Sequence, residues 1–421
     1  MFDVAKLLIE GHHPLEGEIL VHGAKNSTLP ILAASMLCNT KTVLHNCPVL
    51  SDVETCAKIL RYLGCTVTRN GGDLIIDPSG ICHSDIPDHL MREMRSSIVF
   101  LGAIAARTGR AKLSFPGGCE LGPRPIDLHL AALRKMGLEI VEDHGCLECS
   151  VRDGLKGANI GFSFPSVGAT ENVIIAASCA SGETVITNAA REPEICDLAD
   201  FLNSCGAKIS GAGGSTIVIE GVKSLSGCEH RVIPDRIAAA TYLVAAAITG
   251  STLVISSVIP RHLDPLVPVF EESGCTLAFS GGKLKISAPE RLNPVKRVRT
   301  MPYPGFPTDA QAPVMAMTSI ADGTSVFVEN IFESRYKHVG ELLRLGANIK
   351  VEGRVAVVEG VRRLSGASVE APDLRGGAAL VMAGLAADGM TQVSGLKHID
   401  RGYEAIENSL AAVGAVIRRV E

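Results

Sequence analysis

The sequence has no tryptophan and only 5 tyrosines and 11 phenylalanines in 421 residues, so aromatic residues make up 4% of the chain. With 46% hydrophobic residues, disorder is excluded, and the core must be built from Ala, Val, Ile and Leu, as helix-and-sheet α/β proteins often do. Charge of one sign is also missing. Forty Lys and Arg stand against 45 Asp and Glu, a net charge of −5. A globally basic nucleic-acid binder or a polybasic membrane protein is thereby excluded, and any cationic site must be local. No apolar run reaches the roughly 18 residues of a membrane helix; the richest, residues 238–249, is about a dozen long and suits a buried helix. Residues 1–10 carry Asp3, Lys6 and Glu10 with no apolar core, unlike a signal peptide, so a cytoplasmic location is expected. Thirteen cysteines without framework spacing fit reduced thiols in a reducing compartment. The lone C-x-x-C of Cys146 and Cys149 lacks a second pair and reads as a strand with alternating exposure. Ligand-spaced His/Cys/Asp clusters, a dinucleotide fingerprint and a P-loop are all absent, so neither metal nor cofactor is expected.

What the chain does have is repetition. A helix-like stretch, a glycine and a strand-like stretch recur six times, at Gly64, Gly137, Gly206, Gly274, Gly346 and Gly414, with spacings of 73, 69, 68, 72 and 68. Each glycine stands where a helix must stop and reverse. Upstream of each lies an Ala-rich helix, a turn, a short β-branched strand and a loop entering the next helix. Each unit therefore reads as strand, helix, strand, helix and a strand pair. Solenoid units are shorter, typically 20–45 residues, so six such α/β units closing into compact lobes are predicted. The break near residues 224–231 splits them three and three.

The loops that enter the second helix of each unit diverge most in composition. Five contain Lys, Arg or His, and the second, P-G-G-C-E-L-G-P-R-P-I-D, is Gly-rich around Cys119. Functional divergence on a rigid scaffold concentrates in such loops. Cys119 after two glycines and near Arg124 fits an exposed thiol biased toward thiolate, although most cysteines here are small core hydrophobes. Asp309 in P-T-D-A-Q fits either a general base or a helix N-cap, and both can hold together. Asp52 in S-D-V-E-T, before apolar residues at helical spacing, reads as a cap. His129 reads as a core or capping residue.

Eight segments in order carry a resemblance to a known family: G-A-K-N-S at 23–27, M-R-S-S-I at 94–98, G-G-C-E-L-G-P-R-P-I-D-L-H at 117–129, S-V-G-A-T-E-N at 166–172, P-D-R-I at 234–237, F-P-T-D-A-Q at 306–311, D-L-R at 373–375 and H-I-D-R-G-Y-E at 398–404. With them the chain resembles the enolpyruvyl transferases over essentially its full length. The resemblance implies a two-lobed inside-out α/β barrel, three repeats per lobe, with the active site in the cleft. The first lobe would span residues 22–229 and the second residues 1–21 plus 230–421, the first strand, at about 4–21, joining the C-terminal lobe.

It also implies the chemistry. The branch matched most closely transfers the enolpyruvyl group of phosphoenolpyruvate to the 3-hydroxyl of UDP-N-acetylglucosamine, releasing phosphate through a tetrahedral ketal, as the first committed step of peptidoglycan synthesis. A carboxylate and a phosphate on one substrate require several cations, and the planar fork of Arg suits both. Lys25, Arg124 and Arg401 match phosphate-side positions, and Arg335 and Arg375 those around the carboxylate. Cys119 matches the residue that delivers a proton to C3 or assists product release, and that fosfomycin alkylates. Asp309 matches the acceptor of the sugar hydroxyl proton. Asn26, Thr308, Asp309 and Ile331 match positions near the glucosamine ring. Arg95, Arg124, Pro125, Ile126, Asp127, Leu128, Ser166, Val167 and Gly168 match nucleotide-binding segments. Small molecules are thus the expected partners, with no nucleic acid and no membrane, and the oligomeric state is left open. Three departures stand out: Ala238 where an acid is usual, E-S-R-Y at 333–336, and Gly376-Gly377 after D-L-R. They keep open a non-catalytic paralogue that binds the nucleotide sugar. Transfer to shikimate 3-phosphate is the remaining alternative, but its glycine-serine-lysine-serine opening is missing.

Overall fold

The computed structural model describes residues 5–115 and 126–421. They form two units, one of residues 23–115 and 126–233, the other of residues 5–22 and 234–421. Each has its own apolar core, drawn from Leu29 to Val232 in the first and from Leu7 to Ile417 in the second. The second exchange of chain comes after residue 233 rather than 229, because Glu229–Arg231 is still a strand of the first unit, parallel to Thr42–His45.

Six four-stranded sheets share one plan. In the third repeat, Asn159–Gly161 pairs in parallel with Glu183–Thr187, which pairs antiparallel with Thr216–Glu220, and Lys208–Ser210 completes the sheet. The parallel pair requires a crossover, supplied by the helix Val167–Ala177. Two repeats borrow strands from a distance. Glu16–Leu20 is the parallel edge of the fourth sheet, against Thr252–Ser256. Lys6–Glu10 fills the third position of the sixth, between Met390–Ser394 and Val416–Val420. The segment read as one N-terminal strand is therefore two, split at residues 11–15, and each completes a different repeat of the unit of residues 234–421.

The crossover helices are the interior. Arg236–Ile248, Thr308–Thr318 and Leu374–Leu385 pack on one another and bury almost every side chain. Lys25–Ser35, Phe100–Thr108 and Val167–Ala177 do the same in the other unit. A helix apolar on all sides can only be stable inside. The second helices, such as Ser51–Leu63 and Pro193–Ser204, bury one face. All six repeat glycines have positive φ, between 90° and 106°, the left-handed conformation that a Cβ disfavours. Cys149 is buried and Cys146 is half-buried on the strand Cys146–Ser150, as alternation requires. Among the described residues no helix is long and apolar enough to cross a membrane.

Candidate active site

In the unit of residues 234–421, three of the expected residues converge. Asp309 lies in the first turn of Thr308–Thr318, where a negative charge suits the helix dipole. The cap position there is Pro307, so the carboxylate does not cap the helix. It takes two guanidinium groups instead. Arg335 Nη2 donates to Oδ1 at 2.9 Å, and Arg375 Nη2 donates to Oδ2 at 3.3 Å. Both arginine side chains are almost fully buried, 2% and 3% exposed, against 27% for the carboxylate. Arg335 is further fixed by donation from Nε and Nη2 to the carbonyl of Thr308, at 3.2 and 2.8 Å.

Arg375 is the second residue of the helix Leu374–Leu385, whose cap is Asp373, accepting from the N–H groups of Arg375 and Gly376 at 3.0 Å each. Burial opposes the charge of Arg375, and Tyr403, Asp309 and Asp235 outweigh it, so its pKa is raised. The guanidinium carbon lies 5.4 Å from the centroid of the Tyr403 ring, while the Tyr403 hydroxyl is engaged with Thr241 at 2.8 Å. The Nε and Nη1 of Arg375 are buried and make no hydrogen bond among the described residues. Buried guanidinium donors left without a partner suit an anionic ligand.

Glu329, which the sequence did not single out, organises the loop beside them. It is 1% exposed and accepts from Thr308 Oγ1 at 3.0 Å and from the N–H groups of Ile331 and Phe332 at 2.8 and 3.0 Å. Thr308 and Ile331 are thereby held on one carboxylate, and the chain is set for Arg335. An acid directly after the strand Thr324–Val328 and before one of the divergent loops is all that the sequence shows of it. Arg401 is half-buried in a turn anchored by its neighbour Asp400, which accepts bidentately from Arg419 at 2.9 and 2.6 Å.

In the unit of residues 23–233, Lys25 is the first residue of its helix, followed by the half-buried Asn26. Lys25 Nζ lies 3.1 Å from Asp52 Oδ2, with both side chains buried. This corrects the reading of Asp52 as a cap: Ser51–Leu63 starts from Leu50 without a side-chain cap, and the buried cation claims the acid. His129 joins the remaining segments. Its Nδ1 accepts from Asn172 Nδ2 at 3.0 Å, and the same amide donates to the carbonyl of Ile98 at 2.8 Å. A Cβ at Gly168 would lie 3.1 Å from the His129 ring. The stretches around Arg95, around Ile126, Asp127 and Leu128, and around Ser166, Val167 and Gly168 therefore meet at one buried imidazole. Ser166 caps Val167–Ala177 through its hydroxyl, at 3.3 Å from Ala169 N. Cys119, Arg124 and Pro125 lie outside the described residues.

Burial pushes the pKa of His129 down to about 4 against the pull of Asp127, with Arg95 adding to the fall. It pushes His338, whose Nδ1 faces the Arg335 carbonyl at 3.2 Å, to about 4 as well, against the pull of Asp373. Between pH 6.5 and 4 the unfolded chain binds protons that these folded histidines do not, so stability falls as pH falls through that window. From pH 7 to 5 each histidine should cost about 2 kcal/mol. Urea unfolding at the two pH values measures this, and a His129→Gln variant should lose its share of the difference.

Over residues 9–410 the sequence matches the family described as EPSP synthase (3-phosphoshikimate 1-carboxyvinyltransferase). The chain belongs to this family of carboxyvinyl, or enolpyruvyl, transferases. Within it, the chain is 53% identical to UDP-N-acetylglucosamine 1-carboxyvinyltransferase 2 of Caldanaerobacter subterraneus subsp. tengcongensis, over 99% of this chain and 100% of that protein. It is 49% identical to UDP-N-acetylglucosamine 1-carboxyvinyltransferase 1 of Symbiobacterium thermophilum, over 99% and 95%. Among solved structures it resembles the enolpyruvyl transferase NikO from Streptomyces tendae, with a TM-score of 0.89, 24% identity and 99% of both chains covered. EPSP synthase from Acinetobacter baumannii follows at 0.77 and 18%, covering 99% of this chain and 100% of that one. At those identities the structural likenesses speak for the fold alone, which is the two-lobed fold of six repeats expected from the sequence.

Proposed function

We propose that this protein transfers the enolpyruvyl group of phosphoenolpyruvate to the 3-hydroxyl of UDP-N-acetylglucosamine, releasing phosphate, in the cytoplasmic phase of peptidoglycan synthesis. The observation that carries the reading is Asp309 held between two buried arginines, one with two orphaned donors, in a chain about half identical throughout to proteins named for this reaction.

Asp309 takes the proton of the sugar hydroxyl as its oxygen attacks C2 of phosphoenolpyruvate, and Cys119 delivers a proton to C3. The product of this addition is a ketal carrying phosphate. Loss of a proton from C3 then expels phosphate and restores the double bond, now on the sugar. Arg335 and Arg375 hold the carboxylate, while Lys25, Arg124 and Arg401 balance the phosphate charge as it grows toward departure. Asn26, Thr308 and Ile331 set the sugar ring, and Arg95 with the segments at 124–128 and 166–168 holds the nucleotide.

Two of the three departures from the family pattern have a local packing setting, while the third, E-S-R-Y, surrounds Arg335 itself. Ala238 is fully buried, its N–H donating to Asp235 at 3.0 Å. A Cβ at Gly376 would lie 2.9 Å from Cβ of His338, and one at Gly377 2.7 Å from Ile399, so both glycines answer to local packing. Phosphate release from phosphoenolpyruvate, measured with each acceptor, tests the reading. Release should require UDP-N-acetylglucosamine and fail with shikimate 3-phosphate. The opposite preference, or nucleotide-sugar binding without turnover, would overturn it.

A further inference from the structure

The unit of residues 23–233 holds a group of thiols that the proposed reaction does not use. Cys205 closes the helix Pro193–Ser204, and Cys228 directly precedes the strand Glu229–Arg231. Main-chain hydrogen bonds hold both: Ser226 N donates to the Cys205 carbonyl at 2.9 Å, joining the two stretches, and Val43 N, of the strand Thr42–His45, donates to the Cys228 carbonyl at 2.9 Å. Across this frame, Cys205 Sγ donates to Cys228 Sγ at 3.3 Å. A disulfide bond measures about 2.05 Å, so the sulfurs need to close by about 1.3 Å. Cys228 is half-buried, while Cys205 is 2% exposed. Cys38, beside the same segment through its bridge to Leu225, is fully buried.

We propose that Cys205 and Cys228 form an oxidisable dithiol, a modification site at which a peroxide makes an intramolecular disulfide. The roles divide by environment. The hydrogen bond from Cys205, with His230 nearby, brings the Cys228 thiol down to about 7 despite its burial, while the same bond keeps the proton on Cys205. Thiolate is the reactive form, so Cys228 attacks and Cys205 resolves. In the first step the Cys228 sulfur bonds to a peroxide oxygen, the O–O bond breaks, and the departing hydroxide takes up a proton. In the second the Cys205 sulfur attacks the sulfenic sulfur, the S–O bond breaks, and hydroxide leaves with the Cys205 proton as water. Two thiols and one hydrogen peroxide give one disulfide and two waters.

The test treats the reduced full-length protein with hydrogen peroxide, blocks remaining thiols with iodoacetamide, and maps the unreduced digest by mass spectrometry. A Cys205–Cys228 linked peptide should be the dominant disulfide, and free Cys228 should disappear about tenfold faster than the exposed Cys82. In Cys205→Ser, Cys228 should stop at the sulfenic acid and be trapped by dimedone. Because that variant removes a buried group, the wild-type map is decisive by itself. Cys228 remaining free while Cys82 is oxidised, or a Cys38–Cys205 link in its place, would overturn the proposal.

Discussion

Asp309→Asn is expected to lower kcat by about 10³-fold, within the range general-base catalysis supplies. The amide keeps the shape of the side chain and one acceptor oxygen, so one of the two guanidinium groups keeps its partner while the other meets an NH2 group, and it cannot take the proton of the sugar hydroxyl. The affinity for UDP-N-acetylglucosamine, measured by calorimetry, should change by less than about tenfold, because one polar contact is exchanged for a weaker one. Asp309→Ala differs. It leaves two almost fully buried guanidinium groups without their shared carboxylate, and breaking buried ion pairs costs about 3–5 kcal/mol. A large kcat loss in the Asn variant with a nearly unchanged KM for phosphoenolpyruvate separates the base from a mere counter-ion. If Asp309 served only to neutralise the arginines, the Asn variant would change the KM for phosphoenolpyruvate and leave kcat nearly intact.

The second large effect is expected at Lys25. Lys25→Met should lower kcat/KM for phosphoenolpyruvate by about 10²-fold or more, the usual consequence of losing one charged donor to a developing anion. It should also destabilise the protein by about 3 kcal/mol, because Asp52, 3% exposed, loses its buried cation. The double variant Lys25→Met/Asp52→Asn distinguishes the two effects. With no charge left to pair, the unfolding midpoint should recover most of its loss, whereas kcat/KM should not. Recovery of both would reduce Lys25 to a structural partner of Asp52.

The periodic features of the fold were legible in the sequence because local chemistry enforces them. A helix that ends and turns into a strand needs a left-handed residue, and six glycines at near-constant spacing mark six such ends. The Ala-rich stretch 238–249 could be read as buried because it carries no charge and is mostly apolar. Features that depend on distant partners were not legible. Nothing local shows that Lys6–Glu10 and Glu16–Leu20 complete two different sheets, since strand pairing is decided across hundreds of residues. Asp52 has the sequence setting of a cap, and only the approach of Lys25, 27 residues away, reassigns it. Glu329 has no motif of its own, because its role is to receive three donors that the loop brings to it. His129 was read as a core residue, and the structure adds that three candidate binding segments meet on its ring.

A single-turnover experiment with phosphoenolpyruvate labelled with carbon-13 at C2, UDP-N-acetylglucosamine and excess protein, followed by carbon and phosphorus NMR, tests the proposed reaction most directly. The account predicts that the label ends in a vinyl ether joined to the 3-oxygen of the glucosamine ring, with one inorganic phosphate formed for each. Label recovered as pyruvate with free phosphate, or left in unchanged phosphoenolpyruvate while the nucleotide sugar is bound, would contradict it.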